Sequence, residues 1–182
     1  MRNLRKEAGV TLIELVTVLA IVAIVATFAA RGASAAMNAG RTSNSVASLY
    51  AALTRARSSA ATGGVDVVLC PSTNGTSCAP GFHWENGWIA FAATHPGSNR
   101  TADEPILLHQ QALPPKIHLI TSVGRTRVRF QPSGGNAGSN ATFTFCDGRG
   151  PRSASAYAMA NNGTLHAVAV DAAYVAQACA GL

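Results

Sequence analysis

Apolar residues follow three rhythms along this chain. Between residues 10 and 30 they are nearly unbroken, and the only ionisable side chain in that stretch of 21 is Glu14. Wound into a helix, such a run is about 31 Å long, close to the hydrocarbon thickness of a bilayer. From Val46 the apolar positions recur with the period of a helix: Val46, Leu49, Tyr50, Leu53, Ala56 and Ala60, with Arg55 and Arg57 beside the stripe. No proline occurs before Pro71, and Gly63-Gly64 is the first strong stop. The pattern therefore predicts one helix over about 11–62, with Gly32 and Gly40 as its soft points. Past Gly64 the period drops to two. It predicts strands at 65–70, 88–92, 106–110, 117–122, 126–131, 141–146, 154–160 and 164–170, parted by Gly, Pro, Asn and Ser. Asn162-Gly163 reads as the hairpin turn between the last two. A long helix followed by antiparallel strands is an α+β arrangement, with the helix covering one face of the sheet.

Charge sharpens the reading of the first run. Arg2, Arg5 and Lys6 precede it, so the chain starts as a membrane-insertion signal. A secretory signal peptide cut near Ala29, Ala30 or the small residues that follow, and an uncleaved single-span anchor, are the competing readings. Glu14 separates them. A carboxylate inside an apolar span is expensive unless a cation meets it, and a signal peptide has no use for one. Over the whole chain, charged residues are 12% and apolar ones 48%, which excludes a disordered polyelectrolyte. The net charge of +6 is an arginine charge, since Lys6 and Lys116 are the only lysines.

The string Lys6-Glu7-Ala8-Gly9-Val10-Thr11-Leu12-Ile13-Glu14-Leu15 resembles the class III signal of type IV pilins and type II secretion pseudopilins. Further on, Cys70-Pro71-Ser72, Cys78, Gly87-Trp88-Ile89-Ala90-Phe91, Ile106-Leu107-Leu108, Phe130-x-Pro132-x-Gly134 and Thr142-Phe143-Thr144-Phe145-Cys146 resemble the GspH/FimT group in order and spacing. The resemblance implies a pilin-like α+β fold in three parts: a leader, 1–9; a transmembrane and filament-core helix, 10–33; and a periplasmic head, 34–182. A prepilin peptidase would cut between Gly9 and Val10 on the cytoplasmic side and methylate the Val10 amine, where the family usually has Phe. The mature chain would lose three cations and Glu7, taking its charge from +6 to +4. Glu14 would then meet the charged amino terminus of a neighbouring subunit, neutralising both in a low-dielectric bundle. The implied role is a structural one, a minor pilin or pseudopilin of a type II secretion pseudopilus or a type IV pilus that helps initiate or cap the filament. Its partners would be other pilins or pseudopilins, the peptidase and an inner-membrane assembly platform, and it would need no cofactor.

A head across the membrane stands where disulfides persist. Cys70, Cys78, Cys146 and Cys179 allow three pairings. The expected set is Cys70–Cys78, closing a short loop, and Cys146–Cys179, pinning the C-terminal tail to a strand. A zinc site from Cys70, Cys78 and His83 lacks any compact Cys-x-x-Cys pair, and the other histidines are scattered. No nucleophile-elbow signature occurs, so the chain is not read as an enzyme.

Arginines supply the alternative function. In a strand, Arg125, Arg127 and Arg129 would share one face and Thr126, Val128 and Phe130 the other, with Arg149 and Arg152 in a loop nearby. That row fits either a solvated sheet face or the phosphate backbone of DNA. FimT-type relatives bind DNA in natural transformation through a Gly-Arg-x-Arg motif in the last hairpin. This chain reads Gly163-Thr164-Leu165-His166 there, and Gly124-Arg125-Thr126-Arg127 falls in an earlier strand.

Overall fold

In a computed structural model that describes residues 9–95, 97 and 99–182, one α-helix, α1, runs over Leu12–Gly63. The expected leader, 1–9, lies outside the described residues except for Gly9. The chain divides into two compact units, Met1–Met37 and Asn38–Leu182.

In the first unit the helix is apolar all round. The large apolar side chains from Leu12 to Phe28 are between 52% and 81% exposed within the chain. Length and composition suffice for it to cross a membrane. In the second unit the same helix has one buried stripe, Leu49, Ala52, Leu53, Ala56 and Ala60, which Thr42 and Ser45 continue toward its start. Tyr50, expected on that stripe, is instead 52% exposed, and Ala52 takes the core position. Residues 49, 52, 53, 56 and 60 keep to one face at 3.6 residues per turn, and 50 turns away from it.

Among the described residues eight strands follow: β1 Asp66–Pro71, β2 Trp88–Ala93, β3 Ile106–Gln110, β4 Ile117–Thr121, β5 Val128–Phe130, β6 Thr142–Asp147, β7 Ser155–Met159 and β8 Leu165–Val168. They form two four-stranded antiparallel sheets, ordered β3-β2-β1-β5 and β4-β6-β7-β8. Local periodicity marks the strands but assigns none of them to a sheet. The division rests on β5 crossing back to β1, with Val67 opposite Phe130 and Leu69 opposite Val128. Both sheets turn their inner faces to one core, where Leu49, Leu53 and Ala56 meet Leu69, Trp88 and Phe130 from the first sheet and Leu119, Phe143 and Phe145 from the second.

Each sheet is covered on its outer face as well. Val68, Cys70, Ile89 and Phe91 form a second cluster with Cys78, under the loop closed by the Cys70–Cys78 disulfide. Ile120, Cys146 and Ala178 form a third with Phe82, Tyr174 and Cys179. The lid of this third cluster is a short helix, α2, Ala172–Ala178, held by the Cys146–Cys179 disulfide. Asp171 caps it, accepting hydrogen bonds from the amides of Ala173 (2.8 Å) and Tyr174 (3.3 Å). Burial on both faces explains why β1 and β2 read as nearly continuous apolar runs rather than alternating ones, while β6 keeps its Thr-Phe alternation although both its faces are covered.

Candidate functional site

The first helical turn of α1 carries the acid singled out in the sequence. Gly9 and Val10 precede the turn and are exposed. Glu14 Oε2 accepts hydrogen bonds from the Thr11 amide (3.1 Å) and the Thr11 hydroxyl (3.0 Å), while the Glu14 amide donates to Thr11 Oγ1 (3.3 Å). This reciprocal pair is a capping box, Thr-x-x-Glu, whose sequence signal is Thr11-Leu12-Ile13-Glu14. In the isolated chain Glu14 thus satisfies the Thr11 amide and hydroxyl at its own helix start. Its carboxylate stays exposed, in a turn where Leu12 and Ile13 are also uncovered.

The arginines do not form the row that strand geometry suggested. Ser122-Val123-Gly124-Arg125 is a turn, closed by the Arg125 amide donating to the Ser122 carbonyl at 3.0 Å, with Gly124 at φ 78°. The Thr121 hydroxyl donates to the Arg125 carbonyl (2.6 Å), so backbone groups that a strand would use are already engaged and β5 starts only at Val128. Arg125 is exposed in the turn. Arg127 is half-buried, bonded to Asn99 and to the Thr126 hydroxyl, with its Nε unpartnered, and burial lowers its pKa. Arg129 pairs with Asp66 at 2.9 Å and donates to the Gly97 carbonyl. Each of the latter two guanidiniums is thus drawn into the head's own contacts.

Arg149 and Arg152 follow β6, on the other sheet. The Arg149 guanidinium grips Asp147 through Nε (3.0 and 3.1 Å) and Nη2 (2.7 Å). The Thr42 hydroxyl of α1 donates to the same carboxylate. Burial works to raise the Asp147 pKa, but the Arg149 and Thr42 hydrogen bonds outweigh it and hold the group at about 2. Asp147 raises the pKa of Arg149 in turn. Arg152, in the 3-10 turn Pro151–Ser153, is exposed.

In the last hairpin, Asn162 Oδ1 accepts from the Thr164 amide and hydroxyl (3.1 and 2.7 Å), so Thr164 serves the turn. Gly163 has φ 77°, and a Cβ there would lie 2.8 Å from Phe130 Cε1. His166 is exposed on β8. Among the described residues no cluster of three or more His, Cys, Asp or Glu could hold a metal ion.

A second carboxylate cage lies outside the sequence-derived set. Glu104, 1% exposed, accepts from the amides of Thr94 (2.8 Å), His95 (3.1 Å) and Thr101 (2.8 Å). Those bonds outweigh the effect of its burial and lower its pKa. It shapes the loop before β3, and nothing in the local sequence distinguishes it from a surface acid.

A family model described as Type II transport protein GspH matches residues 45–164, and one described as Prokaryotic N-terminal methylation motif matches residues 4–30. No curated protein matches the chain. Among solved structures it is similar to the type IV minor pilin FimU of Pseudomonas aeruginosa strain PAO1 in two crystal forms. Identity is 13%, with 70% of this chain and 92% or 87% of that one covered, at TM-scores of 0.53 and 0.55. The minor pseudopilin EpsH of the type 2 secretion system of Vibrio cholerae aligns at 17% identity over 70% of this chain and 95% of that one, with a TM-score of 0.47. At such identities the FimU likeness speaks for the fold alone. The GspH model, however, spans well over half of the chain, and the methylation motif covers the apolar helix with the Thr11–Glu14 turn: the chain belongs to the GspH/FimT family of pilins and pseudopilins, as a structural subunit.

Proposed function

We propose that this protein is a minor subunit of a type IV pilus or a type II secretion pseudopilus, one that helps initiate or cap the filament. The observation that supports this most is the first half of α1. Its side chains are apolar on every face, more than half exposed within the chain, and led by one acid in the first turn. A surface like that needs lipid before assembly and other helices after it.

On this reading the helix spans the bacterial inner membrane once, with the leader cytoplasmic and the head periplasmic. Prepilin peptidase removes residues 1–9 and methylates Val10. The Val10 ammonium then becomes the partner of a neighbour's Glu14, which gives up its Thr11 hydrogen bonds for a charge-assisted one. The capping box keeps the acid satisfied until that partner arrives. The inner-membrane assembly platform delivers the subunit, and other pilins or pseudopilins receive it.

Two measurements test this. Intact-mass spectrometry of protein from its own membranes should give a chain starting at Val10 with one added methyl group; a chain retaining Arg2 or cut after Ala30 refutes the reading. Glu14→Ala should remain in the membrane and lose most of its co-purification with the other subunits. Undiminished recovery would exclude the pairing.

A further inference from the structure

We infer that the head carries a basic collar that binds acidic phospholipid headgroups where α1 enters it. The collar is built from three chain segments. Asn38 and Thr42 lie on the first head turns of α1, and Thr42 is bonded to Asp147 at the end of β6. A Cβ on Gly148 would sit 3.3 Å from Asn38 Nδ2 and 3.5 Å from Lys116 Cδ, and the Gly148 amide donates to the Lys116 carbonyl at 3.1 Å. Arg149 grips Asp147, and Arg152 follows in the next turn. These contacts bring Lys116 and Arg149 beside Asn38 and Thr42 on the helix; Arg41 is the chain neighbour of Thr42, and Arg152 stands in the turn that directly follows Arg149.

The charge balance there is one-sided. Arg41, Lys116 and Arg152 are exposed and have no ion pair among the described residues. Among the described side chains the one carboxylate at this end is Asp147, only 1% exposed and already matched by Arg149. Asp66 is paired with Arg129 on the other sheet, Glu85 with His83, and Asp103 and Glu104 belong to the loop before β3. Asp171 caps α2 at the opposite end of β4. There the Tyr174 hydroxyl meets the Val123 amide, while the helix's far end, at Ala178, meets His118.

Lys116 adds an independent mark. It is one of two non-glycine residues with positive φ among the described residues, at 66°. Its turn, closed by the Ile117 amide on the Pro114 carbonyl at 3.3 Å, would accept glycine more readily. A long cation stands where backbone geometry favours no side chain.

The partner follows from the chain's connectivity. Asn38 is five residues beyond residue 33, where the apolar span is expected to end. Five residues reach at most about 18 Å in any conformation, so the collar is tethered within a short distance of the headgroup layer. Phosphate groups there meet exposed ammonium and guanidinium groups without any need for a shaped pocket. This rests on the membrane-spanning part of the proposed function.

The test uses the full-length protein in nanodiscs of equal phosphatidylglycerol and phosphatidylcholine, with the lipids retained after mild delipidation counted by native mass spectrometry. Wild type should retain phosphatidylglycerol over phosphatidylcholine by roughly fivefold or more, the scale set by one cation at an anionic surface. The combined variant Arg41→Gln, Lys116→Gln, Arg152→Gln should insert normally, keep both disulfides and return to the bulk ratio. Wild-type protein that inserts yet holds the two lipids equally overturns the collar and leaves the filament reading intact. Failure to insert overturns both. If a short DNA duplex binds wild type and not the variant while lipids stay at the bulk ratio, the collar is a nucleic-acid surface and the lipid assignment is wrong.

Discussion

The two halves of α1 are one continuous helix with opposite designs. In the head half, Leu49, Leu53 and the alanines at 52, 56 and 60 occupy one face and are almost completely buried, while Tyr50 and Arg55 face outward. In the N-terminal half, leucine, isoleucine and valine occupy every face and none is buried within the chain. The head half has its partner in its own two sheets. The other half is left exposed among the described residues, so its burial must come from lipid or from other molecules. Where a helix's apolar residues lie relative to its axis tells whether its packing is intramolecular.

A matched pair of truncations would break this comparison most directly. Leu53→Ala should cost the head about 3–4 kcal/mol, as large-to-small changes in closed cores do. Leu19→Ala should leave head stability unchanged within about 0.5 kcal/mol. Urea unfolding followed by tryptophan fluorescence from Trp84 and Trp88 reads both; equal costs would mean that the halves are not separate in energy.

The disulfides sharpen the head side. Removing Cys146–Cys179, which closes 33 residues of sequence, should destabilise the head by ~3.5 kcal/mol, and removing Cys70–Cys78, which closes 8, by ~2.5 kcal/mol on loop entropy. Paired serine variants compared by urea midpoint would reveal the order, and a larger effect of the shorter loop would point to native packing under Pro71 and Cys78 instead.

Asp147 ties α1 to the second sheet, and its effect depends on pH. Its pKa is lowered from 3.8 to about 2 in the folded head. A depressed carboxylate stabilises the fold fully above its unfolded pKa and loses that contribution as pH falls through the folded value. About 2 kcal/mol should therefore vanish between roughly pH 5 and pH 2. Asp147→Asn should flatten that part of the stability-against-pH curve, and an unchanged slope would assign acid sensitivity elsewhere.

The smallest effect belongs to the N-terminal half. Thr11→Val removes the hydroxyl of the capping box and should cost ~1 kcal/mol of local helix order. Amide exchange at residues 12–15 in detergent should accelerate, with no change in the head's urea midpoint. Coupled loss of head stability would contradict the separation of the two halves.

Much of this was legible in the residues. The long helix, all eight strands to within a few residues, and the family membership follow from local pattern and motif, because a 3.6-residue period, a two-residue period and a short signal string are properties of neighbouring positions. The terminal helix α2 was also written locally, in Asp171 followed by Ala-Ala-Tyr-Val-Ala-Gln-Ala, but seven residues are too few for a strong periodic signal. The arginine row does not form for a related reason. Alternation from 125 to 130 suits a strand, yet Gly124 and the Thr121 hydroxyl convert its first part into a turn, and Asp66 claims Arg129.

What tertiary structure alone decided are pairings between positions far apart in sequence. β5 returns to β1 rather than joining its neighbours in sequence, and so there are two sheets and not one. Thr42 meets Asp147 across 105 residues, and Lys116 reaches Gly148 beside Asn38. Each such pairing costs loop-closure entropy that only the finished core offsets, so no local stretch of sequence records it. The sequence by itself determined that half of α1 would need a partner outside the chain. The fold decided which charges remain free to meet one.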